Sequence, residues 1–437
     1  MSQSIDFVLP PSSVQVRFDG PQLTSDGGLC WLAEADAALG LGAALAAQVP
    51  EWRRGSVRHS LETLVRQRVF QIACGYEDQN DADTLRSDPL LKLVCGRLPS
   101  EADLASQPTL SRLENAVDAK ACYRVAVALV ALYLQERGRE GIPVRIVLDL
   151  DSTEDPAHGQ QEGVAFHGYY GGYMYHPLLV FDGDTGQLIC AILRPGTCHA
   201  SRGAVAVLKR LVRLLRARWP GVTIEVRADA GFAVPALYDY LDGQGIPYTI
   251  ALSRNARLEA LAAPLAAEAQ QQRAETGQKV RLFAAGSYQA DSWEHERRVI
   301  YKAEALEKGL NTRFVVTTRD DEPEDLYHWY TRRGDHPELC IKDLKEGCFA
   351  DRLSCHRFWA NQFRLLLHAA AYWLLDTIRR WLTRLHVPHL QLGTLRLRLL
   401  KIGGWVRQRL EVVSLHLASS HPGEPLWHLL ATRPGRS

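Results

Sequence analysis

Residues 144–151 read VRIVLDLD and residues 223–229 read TIEVRAD. Each is a short β-branched run that closes on a carboxylate, Asp151 in the first and Asp229 in the second. Such runs predict buried strands. Further strand signals lie at Tyr173–Phe181, Leu188–Leu193 and Tyr248–Leu252. Ser201–Trp219 carries Leu208, Leu211, Val212 and Leu215 on one helical face, and Val234–Gly243 reads as a second helix. The order is therefore β-β-β-α-β-α-β. Two hairpin-linked strands feeding a third, then α/β units, predict an α/β fold with a mixed sheet flanked by helices.

Working outward, residues 1–20 read as an extended lead-in with Pro10 and Pro11. From Leu23 to about Arg139 the pattern is helical, including Leu29–Ala47, Leu61–Ile72, Pro89–Val94, Thr109–Val117 and Asp118–Arg137. SQPTLSRLENAV opens with a helix-start signal and carries Arg112. It reads either as the recognition helix of a helix-turn-helix or as a plain bundle helix. Beyond residue 255 comes an Ala/Gln-rich helix, Arg257–Thr276, then strands in KVRLFAAGSYQA, RRVIYKAEAL and TRFVVTT. These predict an inserted β-rich subdomain. Helices resume at Tyr330 with Pro337–Gly347 and Arg357–Leu385, and Leu395–Val406 and Leu410–Leu417 read as tail strands. The expected segments are 1–140, 141–255, 256–329, 330–385 and 386–437.

The 437 residues are 46% hydrophobic and 23% charged, which excludes a disordered or collagen-like chain and suits a soluble protein of several domains. The longest apolar run, Val125–Leu134, is ten residues, short of the roughly 18 a membrane span needs. The opening MSQSIDFVLPPS shows no signal peptide, and nine cysteines without a CxxC pair suit a reducing compartment. A cytoplasmic protein with no membrane partner is expected. Net charge is only +1, but residues 331–437 hold 17 Lys+Arg against 8 Asp+Glu, leaving the rest acidic. That asymmetry hints at an anionic partner.

Residues just past the carboxyl ends of strands in α/β sheets face the ligand crevice. Carboxylates converging there need a cation, and hard oxygen donors without paired histidines suggest Mg²⁺ or Mn²⁺ rather than zinc. Asp149 competes with Asp151, because period-2 alternation puts both on one face. Asp155 reads as a turn residue. In YTRRGDHPELCIKDLK, Glu338, Lys342 and Lys345 fall at i, i+4 and i+7 of a helix, preceded by Trp329, Tyr330, Arg332 and Arg333. One carboxylate among cations suits a metal ligand beside phosphodiesters.

At these residues the chain resembles a DDE transposase of bacterial insertion sequences, in the branch with a Tyr-Arg-Glu-Lys signature and, more narrowly, insertion-sequence group thirteen-eighty. The matching blocks are VRFDGPQLTSDGGLCWLAE, SQPTLSRLEN, DLDSTEDPAHGQQEG, FHGYYGGYMYHPLLVF, LRPGTCHASRGA, RADAGFAVPALYDYL, IKDLKEGCFADRLSCHRFWANQFRLLLHAAAYWLL and LLKIGGWV. The resemblance implies an RNase H-like core split by the β-rich insertion, with residues 1–140 as a helical DNA-end-binding region. It implies Asp151, Asp229 and Glu338 as catalytic metal ligands and favours Asp151 over Asp149. Tyr330, Arg333 and Lys345 match the signature, although four residues rather than three separate Arg333 from Glu338. Either His336–Pro337 is a small insertion or another arginine is the equivalent one. The implied mechanism is two-metal-ion phosphoryl transfer, with ions about 3.5–4 Å apart. Water nicks the transposon end, and the freed 3′-hydroxyl then attacks the opposite strand or target DNA. The implied partners are double-stranded terminal inverted repeats and target DNA, held by a homodimer.

The signature residues Tyr330 and Arg333, with Arg112, Lys342 and Lys345, are candidate DNA contacts. Trp293, in ADSWEHERR, is either a base-stacking aromatic at the cleaved end or a core tryptophan. Cys340, Cys348 and Cys355 are spaced wrongly for zinc and read as free thiols. His158, His167, His176 and His199 lie near the strand ends and read mainly as packing residues. A metal-dependent structure-specific nuclease and a non-catalytic DNA-binding relic are the alternatives.

Overall fold

The computed structural model describes residues 4–9, 12–335, 337–410 and 412–434, so the Pro10–Pro11 pair and His336 lie outside the described residues. The chain divides into two units. One comprises Met1–Val125, Glu346–Phe349 and Leu367–Ser437, and the other Ala126–Lys345 and Ala350–Leu366.

The first unit is mainly helical. Its apolar N-terminal stretch is broken at Gly40, whose φ of 65° is left-handed, into Leu29–Leu39 and Leu41–Ala46. Leu61–Cys74 starts where the Ser60 side chain accepts from the Thr63 amide. Its buried Arg68 pairs with Glu114 of the Gln107–Asn115 helix at 2.8 Å, with neither side chain exposed. The tail departs from expectation. Leu395–Val406 is not one strand, because Leu392–Leu395 is α-helical and Arg396–Leu400 is a π-turn. A strand follows only at Gly404–Arg409, pairing with Val412–Leu417 and Leu23–Thr24. The alternating text LRLRLL imitates a half-exposed strand, but Arg396 is buried, donating to the carbonyls of Ala73 and Gly347.

The second unit is built on one eight-stranded mixed sheet. Its strands are β1 (Arg145–Ser152), β2 (Leu178–Asp182), β3 (Leu188–Ile192), β4 (Thr223–Ala228), β5 (Tyr248–Leu252), β6 (Val280–Tyr288), β7 (Arg297–Leu306) and β8 (Gly309–Thr317). Their order is β6-β7-β8-β5-β4-β1-β2-β3. Strands β1, β4 and β5 run parallel, and the other pairs are antiparallel. The interior residues of β1 and β2 are buried throughout, as a strand covered on both faces requires. The expected strand Tyr173–Phe181 is split. Gly172–Tyr175 joins a small sheet with Asp155–Pro156 and Ala165–His167, and β2 begins after Pro177, which has no amide to give the ladder.

The inserted strands β6–β8 form no sheet of their own. They extend the large sheet, because β8 pairs with β5 from Thr249↔Thr317 to Leu252↔Phe314. Alternation along β7 separates two packed faces. Ala303 and Ala305 meet Ala266 and Ala269 of the Ala256–Thr276 helix. Ile300 and Val315 meet Leu326 and Tyr327 of a helix, Pro323–Asp335, that begins seven residues before the expected resumption at Tyr330.

Candidate active site

Strand register decides the fate of the two β1 aspartates. Asp149 lies opposite Arg227 on β4, and Leu150 lies opposite Ala228. Arg227 donates from Nε and Nη2 to the two Asp149 oxygens, both at 2.7 Å, and from Nη1 to the Trp329 carbonyl at 2.8 Å. Asp149 is wholly buried, so this pair is a strut inside the sheet. Asp151 and Asp229 each follow the Leu150–Ala228 pair and leave adjacent parallel strands at the same level.

Asp151 is 9% exposed. Its Oδ1 accepts from the Ser152 amide at 2.8 Å, and its Oδ2 from Arg333 Nη2 at 2.5 Å. Arg333 Nη2 also reaches the Leu150 carbonyl at 3.1 Å, while the buried Nε has no hydrogen-bond partner. Asp229 is half-buried, and its Oδ1 caps the short turn Ala230–Phe232 through the Gly231 amide at 2.8 Å. Glu338 is exposed, in the first turn of the short helix Pro337–Lys342.

The Pro323–Asp335 helix crowns these strand ends. The Trp329 ring lies beneath two guanidinium groups, Arg319 at 4.2 Å and Arg227 at 4.8 Å from its centroid. The Tyr330 hydroxyl donates to the Ala228 carbonyl at 3.3 Å, and Arg333 holds Asp151. The Glu338–Lys342–Lys345 stripe is not one continuous α-helical face. A π-turn over Asp343–Gly347 widens the spacing before Lys345. Lys345 then reaches Thr153 Oγ1 at 3.4 Å and Glu154 at 3.9 Å, just past Asp151, while Lys342 is exposed.

The electrostatics tie the acids together. Burial pushes the Asp151 carboxyl up to about 6; Arg333 opposes this, and the charges of Asp229 and Glu338 add to it. Burial likewise pushes the Tyr330 hydroxyl up to about 12. Burial disfavours the Arg333 cation, but Asp151, Tyr330, Asp229 and Asp149 outweigh it and hold its pKa above the ordinary value. Among the described residues, no three His, Cys, Asp or Glu side chains lie close enough together to hold a metal ion. The acids nevertheless fit a hard divalent cation in kind. They are oxygen donors whose mutual repulsion is offset by one buried guanidinium.

Other side chains depart from their sequence reading. Asp155 is not a loose turn residue: it is 1% exposed in the small sheet, with both oxygens lacking a hydrogen bond. Trp293 is 8% exposed and packs edge-on to Tyr238 and Tyr288, with Arg297 over its ring. Arg112 is exposed in the last turn of its helix. All nine cysteines are free thiols. His158 Nε2 meets the Asp351 carbonyl and His199 Nδ1 the Ser201 hydroxyl, while the His167 and His176 rings pack 4.8 Å apart. The exposed aromatics Phe166, Tyr169 and Tyr173 were not singled out from the sequence, although the Tyr-Tyr-Gly-Gly turn in FHGYYGGYMY marks a hairpin tip.

Among the described residues, no helix is long and apolar enough to cross a membrane. No curated protein matches the chain. Solved structures that are similar over most of their length include two transposase complexes. One is the piggyBac transposase synaptic complex with hairpin DNA, determined by cryo-EM: 12% identity, 85% of this chain, 79% of that chain and a TM-score of 0.43. The other is the Mos1 transposase paired-end complex with the left transposon end: 12% identity, 70% of this chain, 83% of that chain and a TM-score of 0.18. The model of one protein family, transposase DDE domain group 1, matches residues 8–434, and the chain belongs to that family.

Proposed function

We propose that the chain is the transposase of an insertion sequence, cutting and joining DNA at the element's ends, with Asp151, Asp229 and Glu338 as its catalytic carboxylates. The observation that carries this reading is the shared electrostatics of the three acids: Asp229 and Glu338 both raise the Asp151 carboxyl, at the ends of adjacent parallel strands. The strand order β3-β2-β1-β4-β5, with β1, β4 and β5 parallel, supports an RNase H-like core, onto which β6–β8 are grafted. The Tyr-Arg-Glu-Lys signature of group thirteen-eighty supplies Tyr330, Arg333, Glu338 and Lys345.

Mg²⁺ or Mn²⁺ held by the carboxylates would supply Lewis-acid stabilisation to the attacking and leaving oxygens of the transferred phosphoryl group. The chain's own residues do the positioning. Arg333 and the Ser152 amide fix the Asp151 carboxylate from both sides. Tyr330 ties the crowning helix to β4 beside Asp229. Lys342 and Lys345 give point charges for DNA phosphates. The proposed partners are two copies of the terminal inverted repeat and a target duplex, held by a protein homodimer.

The test supplies purified chain with duplexes ending in the element's inverted repeat, Mg²⁺, and separately pre-cleaved ends with target DNA. Joined product lost in Asp151→Asn, Asp229→Asn and Glu338→Gln supports the proposal. Hydrolysis without joining would identify a structure-specific nuclease. Absence of any metal-dependent cleavage would identify a DNA-binding relic.

A further inference from the structure

We propose that an arginine-lined cleft in the mainly helical unit binds a phosphate group of a nucleic-acid backbone. The cleft has a volume of about 310 Å³ and is lined by Arg53, Arg58, His59, Arg86, Ser106 and Thr109, among others. It shares no residue with the Asp151–Asp229 site.

Its charges are unequally satisfied. Arg53 is a strut, held by both Glu51 oxygens at 2.7 Å and donating to the His59 carbonyl. Arg97 braces the wall from behind, donating to the carbonyls of Arg58 and Asp103. Arg58 is exposed and has no carboxylate partner among the described residues. Arg86 meets only Asp103, at 3.8 Å between half-exposed side chains, which solvent screens. Asp83, on the Asp81–Leu85 helix, accepts from the Gln107 amide that opens the Gln107–Asn115 helix. Two exposed cations, Arg58 and Arg86, therefore remain for an outside anion.

His59 gives the second, independent sign. It is 8% exposed, and its buried Nδ1 has no hydrogen-bond partner, an uncommon state for a native side chain. Burial, then the charges of Arg97, Arg58 and Arg53, hold its pKa down to about 4, so the ring in the cleft wall stays neutral and carries one N–H. The Ser106 and Thr109 hydroxyls are hydrogen-bonded to each other at 3.3 Å, which leaves one O–H to donate outward. Guanidinium, imidazole and hydroxyl groups lining one cleft suit the several acceptor oxygens of a phosphate better than a planar carboxylate.

The helix adds a direction. Ser106, Thr109 and Arg112 recur at spacing three and share one face. The exposed Arg112 stands one turn beyond the cleft, where the next charge of a polyanion would lie. A backbone phosphate suits this arrangement, and an isolated ion leaves Arg112 without a role.

The test uses the full chain, labelled duplex DNA and EDTA, so it does not depend on whether the chain cleaves DNA. Anisotropy titrations compare wild type with Arg58→Gln/Arg86→Gln, whose unchanged melting temperature verifies folding. Losing two phosphate contacts should make the slope of log K against log salt shallower by about 1.8 and weaken binding roughly tenfold or more at 0.1 M salt. Lys209→Gln/Arg213→Gln, on the exposed face of the Ala204–Arg218 helix, removes the same charge elsewhere and should leave the slope unchanged. An unchanged slope in the cleft variant, or an equal change in the control, overturns the proposal. Inorganic phosphate is the other arm: if it stabilises wild type but not the cleft variant while DNA affinity is the same in both, the cleft is a free-anion site and the nucleic-acid assignment fails.

Discussion

Asp149→Asn and Asp151→Asn should have opposite consequences, although the residues are two apart on one strand. Asp149 and Arg227 form a bidentate pair with 0% and 2% exposure, and Arg227 has no route to solvent from that position. Removing the carboxylate charge leaves a buried guanidinium uncompensated, which costs about 3–5 kcal/mol. In a unit of this size that lowers the melting temperature by roughly 6–20 °C. Asp151→Asn differs because the charges of Asp229 and Glu338 oppose the native carboxylate, and Asp229 and Asp149 remain to compensate Arg333. A neutral amide relieves that repulsion and still accepts from Arg333, so the stability change should stay within about 1 kcal/mol. Metal-dependent cleavage should nevertheless fall by about 10²–10³-fold or more, the scale of losing one transition-state stabiliser. The assays are thermal and urea unfolding of both variants and Mg²⁺-dependent cleavage of an end-bearing duplex. A stable, inactive Asp149→Asn beside an unstable, active Asp151→Asn would refute the division of roles drawn from the register.

Arg333→Gln should bind Mn²⁺ more tightly, by about tenfold or 1.4 kcal/mol, because its guanidinium now competes for Asp151 Oδ2; calorimetry reads this without turnover, and weaker binding would contradict it. Asp155→Asn should stabilise the protein at pH 8. Burial, then the nearby Asp351, hold the Asp155 pKa well above the ordinary value, so its contribution is intact below about pH 4 and is lost as pH rises through the folded value. A variant with an unchanged slope of stability against pH would refute this. His59 has the opposite sign: its folded pKa is lowered to about 4, so its contribution is present above about pH 6.5 and lost as pH falls from there toward 4. Unfolding measured between pH 7 and pH 4.5 should therefore be flatter for His59→Gln than for wild type.

The sheet was legible because its strands are β-branched runs with clear turns between them. The strand break at Pro177 was legible in principle, since proline cannot donate to a ladder. The choice between Asp149 and Asp151 was not legible from spacing, because it depends on which β4 residue lies opposite each. Arg227 is 78 positions away in sequence from its partner. The Pro323–Asp335 helix was missed for a different reason. PEDLYHWYTRRGD buries only a narrow stripe, so its apolar periodicity is faint. Pro323 followed by Glu324 and Asp325 is nonetheless a helix-start signal, and it would have placed Tyr330 and Arg333 one turn apart on a single helix. Asp155 looked like a turn residue because Asp-Pro usually is one, and only the short sheet around it shows that the carboxyl is enclosed.

Charge counts mislead in a similar way, and in the opposite direction to the near-neutral total. The excess of +9 over residues 331–437 invites a broad basic surface for DNA. Several of its arginines are internal. Arg333 neutralises Asp151, Arg379 pairs with Asp376 at 2.6 Å, Arg364 donates to the Ser354 hydroxyl, and Arg396 serves two carbonyls. All four are less than 9% exposed. Arginine suits such places because its planar fork satisfies several acceptors at once and its charge survives burial. The cations left for phosphates are therefore fewer than composition implies. The salt slope of DNA binding, about −0.9 per phosphate contact, should follow exposed side chains such as Arg58, Arg86, Arg112 and Lys342 rather than the arithmetic of the C-terminal segment.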